Sequence, residues 1–232
     1  MAARALERLE TLLTGIYDLD TGCRVEDFLV TDRQALPGEC REAPGDEQLF
    51  VNAVDGELCM SLYLDPAVLE RLERHDPSDG LDADNLADCW TALEGVSHFL
   101  CVAHNAGHDR PVSRLALEMQ AEIDKYVASF ALLRRHEPHR FPAELHTLLF
   151  RRAQVDPRLA AGHESLYRRA GSAVENQDRC LRMPPECRLR GTCDLAQIAR
   201  GDAAVAFERD IGGRRCGIHG NSSIPCYIAR VN

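Results

Sequence analysis

The chain has 232 residues and a formal net charge of −10, with 45% hydrophobic and 28% charged residues. This length suits one large domain or two small ones, and the composition is ordinary for a soluble globular protein. The acidic balance argues against a general nucleic-acid-binding protein, because no surplus of basic residues is available to neutralise phosphates. The longest apolar runs are too short to predict a membrane span, which needs about 18 residues.

The N-terminal segment and the cysteines together predict a cytoplasmic protein. Glu7 and Glu10 interrupt residues 1–16, which therefore lack the uncharged apolar core of a secretory signal peptide. Without export, we expect the ten cysteines to be thiols rather than a disulfide framework. The chain contains a single lysine, Lys125, beside 26 arginines, which is typical of a GC-rich gene and indicates a bacterial source.

The elements before residue 80 combine helices with a small sheet. Apolar residues at helical spacing predict a helix over residues 3–16, and residues 25–30 are a candidate strand. Apolar residues alternate on both sides of Asp55-Gly56, a dipeptide that suits a tight turn, so we expect an antiparallel hairpin with one buried face. Asp65-Pro66 predicts the N-cap and first turn of a helix that ends near Arg74.

The most regular stretch is residues 84–136, which predicts two amphipathic helices joined by a turn at residues 104–111. Such helices pack as an antiparallel pair, with Trp90 at the centre of the apolar face of the first. Arg114 and Glu118 are expected to form an ion pair one turn apart on the second helix. Two further short helices are predicted, one from Pro142 and one from Pro157.

Two pairs of potential metal ligands lie on the central helices. Glu94 and His98 are one turn apart on the first helix, and Glu118 and Glu122 are one turn apart on the second. Carboxylates and histidines on neighbouring helices can build metal sites, although neither helix has the Glu-x-x-His sequence of di-metal bundles. Because Glu94 and His98 lie opposite Trp90 on a helical projection, the simpler expectation is a solvated ion pair.

Residues 177–232 differ from the rest of the chain and have no helical or strand periodicity beyond a short segment. Three hypotheses fit their composition: a disordered tail, a tail translated out of frame, or a zinc-stabilised binding module. The zinc ligands would come from five residues, of which only two have a standard spacing: Cys187, Cys193, Cys216, His219 and Cys226.

The sequence therefore predicts an α+β protein, with a mainly helical domain over residues 1–176, a central antiparallel helix pair, a small antiparallel hairpin sheet and an irregular tail over 177–232. No nucleophile, phosphate-loop or cofactor-binding motif is present, so we expect no cofactor and favour a non-catalytic interaction or accessory protein whose partner is another protein. The alternatives are a metal-dependent hydrolase or oxidase that uses the helix-borne Glu and His residues, and the zinc-stabilised tail.

Overall fold

The computed structural model describes residues 4–36, 41, 45–54, 57–138, 143–151 and 218–219. Within these ranges the protein is mainly helical with one small sheet, which confirms the predicted α+β class. The helices and strands are α1 (Arg4–Tyr17), β1 (Leu29–Val30), β2 (Glu47–Val54), β3 (Glu57–Leu64), α2 (Pro66–Arg74), α3 (Leu86–Ala106), α4 (Arg114–His136), α5 (Ala143–His146) and β4 (Ile218–His219).

The sheet is mixed and not purely antiparallel as predicted. β2 and β3 form the expected antiparallel hairpin, with Glu47 opposite Leu64 at its open end. β1 pairs with β3 in parallel, and β4 also pairs with β3 in parallel. The parallel edge arises because β1 lies on the side of β3 that β2 leaves free. The strand expected at residues 25–30 is reduced to two residues, since Val25–Phe28 form a 3-10 turn that buries both end residues.

The hairpin is buried on both faces, so the expectation of one buried face was wrong. Met60, Leu62 and Leu64 belong to the main core beneath the helices. Phe50 and Tyr63, on the opposite face, form a second cluster with Leu36. The chain after β1 brings Leu36 over this outer face, and residues alternate sides along a strand, so both sets are removed from water.

Helix α3 is the centre of the fold. It packs against α1, α2, α4 and both long strands, and eleven of its 21 residues are buried. The N-cap of α2 is Asp65, whose side chain accepts a hydrogen bond from Ala67 N, with Pro66 in the first turn as predicted. No helix in the described part of the chain is both long enough and apolar enough to cross a membrane.

Helices α3 and α4 contact each other along their length. Trp90 Nε1 donates to Ser129 Oγ at 3.0 Å near one end, and Ser97 Oγ donates to Asp124 at 2.6 Å further along. Trp90 is half-buried between two apolar clusters and is not the central core residue that the sequence predicted. The predicted helix from Pro157 and the predicted boundary at residue 176 lie outside the described residues.

Candidate functional site

Polar side chains from α3 and α4 meet at the interface of these two helices. Residues one turn apart share a helix face, so Glu94 and His98 on α3 project together toward Glu118 on α4. One possible ligand atom from each of these three residues lies within 4.8 Å of the other two. These are three of the four metal-ligand candidates that the sequence identified on the helices.

The fourth candidate, Glu122, is held by the only lysine of the chain. Lys125 Nζ donates to Glu122 Oε1 at 2.8 Å and to Glu94 Oε2 at 2.6 Å, which bridges the two helices. Lys125 and Glu122 are 8% and 6% exposed. A lysine on the polar side of an amphipathic helix is ordinarily solvated, and the sequence alone indicated no other place for Lys125.

The expectation that Glu94 and His98 form a solvated pair was wrong. His98 is 8% exposed, because the β2–β3 hairpin covers the side of α3 that faces away from the apolar stripe. Gly95 permits this cover: a Cβ atom built on it would lie 2.9 Å from Leu62 Cδ1 and 3.0 Å from Glu47 Cγ. A helical projection cannot reveal a sheet that packs on the supposedly exposed face.

Glu47, at the start of β2, is a site residue that sequence reasoning missed. Its Oε1 atom lies 3.6 Å from His98 Nδ1, an ion-pair distance. The two residues are far apart in the chain and share no motif, so only the packing of the hairpin on α3 brings them together. The one sequence signal was Gly95, a glycine inside a helix, which often marks a close approach by another element.

Burial and the neighbouring charges shift the pKa values of this cluster. Burial raises the pKa of the Glu47 carboxyl above its usual value, although His98 partly opposes the shift. Burial would lower the pKa of His98, but the carboxylates, led by Glu47, outweigh it and raise that pKa. For Glu94, burial is likewise outweighed, and the nearby Lys125 ammonium lowers its pKa.

Lys125 is held in its charged form. Burial alone would lower the pKa of its ammonium, but the Glu94 and Glu122 carboxylates more than compensate and raise it. A lysine nucleophile or Schiff-base lysine needs a depressed pKa, so this environment argues against either role for Lys125. Its function in the cluster is that of a counter-ion between two carboxylates.

Negative charge exceeds positive charge in the cluster. Four carboxyl groups (Glu47, Glu94, Glu118 and Glu122) face the Lys125 ammonium, the His98 imidazole and, at the edge, the Arg114 guanidinium, which leaves at least one negative charge unbalanced when all are ionised. Glu47 Oε1 and His98 Nε2 are also buried without a hydrogen-bond partner. Buried polar atoms usually have partners, so two orphaned atoms beside an excess of negative charge fit a site that accepts a cation.

Glu94 is the most accessible of the three converging ligands, with 29% of its side chain exposed. Glu118 is also partly exposed. Its side chain is 21% exposed, and its Oε1 atom lies 3.6 Å from Arg114 Nε, which confirms the ion pair predicted from their spacing. Arg114 is itself half-exposed and contacts the edge of the cluster from solvent. Glu118 therefore connects the buried part of the cluster with the surface.

A pocket of about 180 Å³ lies beside the cluster, between the C-terminal end of α1 and the α3–α4 pair. Ser97 and Asp124 line it, and they directly precede His98 and Lys125 in their helices, so the pocket and the cluster occupy adjacent faces of the same helix pair. Tyr17, Asp18, His104 and Asn105 contribute to the walls.

Asp124 is the most buried ionisable group of the pocket. Tyr17 OH donates to its Oδ1 atom, Gln120 Nε2 donates to the same atom at 2.7 Å, and Ser97 Oγ donates to Oδ2 at 2.6 Å. Burial nevertheless raises the pKa of Asp124 to about 6, against the effect of these donors. The sequence indicated no role for Asp124, which it placed on the solvated side of α4.

The zinc candidates of the tail are almost entirely outside the described residues. Cys187, Cys193, Cys216 and Cys226 are not among them, and for His219 only its backbone pairing in β4, opposite Cys59, is described. The zinc-site hypothesis for the tail therefore stays a prediction. Among the described cysteines, Cys89 is buried, whereas Cys59 and Cys101 are only partly buried.

Comparison with known proteins identifies no relative from which a function could be transferred. No protein-family model matches the chain, and neither a curated protein nor a solved structure matches it.

Proposed function

We propose that the protein binds one divalent metal ion through Glu94, His98 and Glu118 and acts as a metal-dependent hydrolase. The observation that carries this proposal is the convergence of the three side chains to within 4.8 Å across the α3–α4 interface. Three protein ligands leave coordination positions for water and substrate, as is typical of catalytic rather than structural metal sites. Such an ion would supply Lewis acidity for hydrolysis.

The ligand types favour a borderline or hard cation. Two carboxylates and one imidazole suit Mn²⁺, Fe²⁺ or Zn²⁺, whereas the absence of thiolates among the three argues against a site built for Cu⁺. The orphaned His98 Nε2 atom offers a free imidazole nitrogen, and Glu47 beside Nδ1 is placed to fix the ring orientation. Among the described residues this is one set of ligands, which suits a single ion rather than a di-metal oxidase.

Lys125 stabilises the proposed site when no metal ion is bound. With no ion bound, its ammonium neutralises the partly buried Glu94 carboxylate. A metal cation bound by Glu94 competes with the Lys125 ammonium, which stays paired with Glu122. The competition predicts weaker metal binding than an otherwise identical site without the lysine.

The test is metal content and metal binding of the full chain. We expect protein purified without chelator to carry about one metal equivalent per chain by mass spectrometry, or to take up one equivalent of Mn²⁺ or Zn²⁺ after stripping. Glu118→Gln removes one ligand near the surface and should lower the affinity by at least about tenfold. Glu70→Gln, on the exposed face of α2, is the matched control and should bind as the wild type does.

Metal stoichiometry also distinguishes a site on α3 and α4 from a zinc site in the tail. Cys216→Ser should leave the metal stoichiometry unchanged if the ion is bound by α3 and α4, and should reduce it if the tail holds zinc. Metal bound equally by the wild type and Glu118→Gln would overturn the proposal. So would a stripped protein that takes up no divalent ion at all.

An accessory protein that binds a protein partner is the second candidate. The described residues include one exposed large hydrophobic side chain, Leu148, next to the short helix α5. A single exposed leucine is ordinary on a monomeric protein and does not constitute an interaction patch. Absence of metal binding would make this candidate the preferred one, and identifying a partner by affinity purification would then be its test.

A further inference from the structure

We propose that the pocket beside α1 binds a small molecule that carries a protonated amino group, with the Asp124 carboxylate as its counter-ion. This site is separate from the metal ligands and does not rest on the proposed metal-dependent function. A buried carboxylate is costly unless it has a partner of opposite charge, and Asp124 is a buried carboxylate.

The carboxylates of the cluster have cationic partners, and Asp124 has none among the described residues. Glu94 and Glu122 share Lys125, and Glu47 lies beside His98. Asp124 is 3% exposed, yet its donors (Tyr17, Gln120 and Ser97) are all neutral. No arginine, lysine or histidine nitrogen within the described ranges lies in ion-pair contact with it. His98 favours the charged form of Asp124 electrostatically, but it is already paired with Glu47.

The pocket supplies the space in which a cationic partner would lie. Asp124 lines a pocket of about 180 Å³, and none of the four cluster carboxylates is among its lining residues. That volume corresponds to roughly six water molecules at liquid density, which accommodates a small organic cation rather than a drug-sized ligand. A carboxylate at the base of such a pocket forms charge-assisted hydrogen bonds with an ammonium group.

The remaining walls discriminate against anions. The lining contains no arginine or lysine, and its exposed rim contains a second carboxylate, Asp18. His104 is the one basic group of the lining, and burial together with nearby His108 and Arg110 lowers its pKa, so it is neutral at physiological pH. The Asp124 and Asp18 carboxylates would therefore repel phosphates and carboxylates, while Asn105 and Gln120 offer polar groups for a hydroxyl or amide on the ligand.

The experiment compares three small probes on metal-stripped full-length protein at constant ionic strength. Ethanolammonium is the cationic probe, ethylene glycol is its neutral isostere, and acetate is the anion. Binding is followed by calorimetry and by the carboxyl ¹³C signal of Asp124 in aspartate-labelled protein. We expect only ethanolammonium to bind saturably, with an affinity at least about tenfold higher than that of ethylene glycol.

Two matched variants assign the binding to the pocket. Asp124→Asn keeps the shape and can keep the contacts with Tyr17 and Ser97, but removes the charge, and it should weaken ethanolammonium binding by at least about tenfold. Asp20→Asn removes the same charge from an exposed position just after α1 and should bind as the wild type does. An equal loss in both variants would indicate a general effect of net charge and would overturn the proposal.

The wild-type protein alone tests the proposal if a variant fails to fold. Equal responses of the wild type to ethanolammonium and ethylene glycol, or no saturable response to either, overturn the proposal without any substitution. The metal site is tested independently, because Glu118→Gln should retain ethanolammonium binding and Asp124→Asn should retain metal binding. Failure of one site therefore leaves the other intact.

Discussion

The side chain of Glu47 occupies the space into which a methyl group on Gly95 would project. The hypothetical Cβ atom would lie 3.0 Å from Glu47 Cγ and 2.9 Å from Leu62 Cδ1, both closer than side chains tolerate without movement. The absence of a side chain on one helical residue thus lets the hairpin approach α3 and places a carboxylate against His98. Loss of this contact would affect the stability of the fold and the geometry of the metal-ligand cluster together.

Substitution Gly95→Ala should therefore destabilise the protein despite the higher helix propensity of alanine. The overpacking cost of about 1–3 kcal/mol exceeds the propensity gain of at most about 1 kcal/mol. Gly15→Ala in α1 is the control, because a Cβ atom there would meet nothing within 4 Å. It should stabilise by about 0.5–1 kcal/mol. Urea unfolding measures both, and a stabilising Gly95→Ala would contradict the close packing of Glu47 on α3.

Loss of the Lys125 ammonium should be among the most damaging single changes in the metal-free protein. Lys125→Met leaves the buried Glu122 and the partly buried Glu94 without this counter-ion, and breaking such a network costs about 3–5 kcal/mol. Lys125→Arg should not restore the stability, since the planar guanidinium cannot replace a compact ammonium between two carboxylates at 2.6 and 2.8 Å. Free energies of unfolding from urea titrations are the measurement.

If a metal ion binds to Glu94, it should also change the stability of Lys125→Met. Millimolar Mn²⁺ should recover part of the lost stability, because a bound cation neutralises Glu94 and stabilises the folded state by mass action. A variant in which Glu94→Gln and Glu122→Gln accompany Lys125→Met removes the orphaned charges and should be more stable than Lys125→Met alone. Equal stability of the wild type and Lys125→Arg would show that the bridge does not require lysine.

Ionisation of Asp124 should make the folded state less stable as the pH rises from 4 to 6. Burial raises the pKa of Asp124 in the folded protein to about 6, above its ordinary value of 3.8, so the folded state binds the proton more tightly than the unfolded chain does. The unfolding free energy therefore falls as pH rises between these values, by at most about 3 kcal/mol, and this contribution is constant above them. The groups that face Asp124 are Tyr17, Ser97, Gln120 and His98.

Asp124→Asn isolates this contribution from that of every other titrating group. The difference in unfolding free energy between the variant and the wild type, measured without metal, should grow in favour of the variant from pH 4 to pH 6. Ethanolammonium should reduce that difference if it pairs with the ionised carboxylate. A difference that is independent of pH would show that Asp124 ionises in the folded protein as it does in the unfolded chain.

Cys89 should resist alkylation until the protein unfolds. It has no exposed surface, and burial, followed by the charges of Asp76 and Asp88, raises the pKa of its thiol to about 12. Because the thiolate is the reactive form, iodoacetamide at pH 8 should modify Cys89 in urea and leave it intact in the native protein. Mass spectrometry of the peptides gives the extent for each cysteine. Equal modification in both conditions would show that α3 opens readily.

Local patterns in the chain predicted most of the secondary structure. The ends of α2, the two central helices and the antiparallel pairing of β2 with β3 agree with the periodicity and with the Asp65-Pro66 signal. These features depend on neighbouring residues, whose spacing is visible in a sequence. The mixed sheet and the second buried face of the hairpin depend on residues that are distant in the chain, and no local pattern indicates them.

The sequence by itself determined the mainly helical α+β class and identified Glu94, His98 and Glu118 as residues able to meet from two helices. Tertiary structure alone decided that His98 is buried and that Glu94 and Glu118 are only partly exposed, because the hairpin covers the polar side of α3. It alone added Glu47, Lys125 and Asp124. Periodicity records which residues share a face of one element. It does not record which element packs on that face, and that packing determines whether a charged side chain is solvated or part of a buried site.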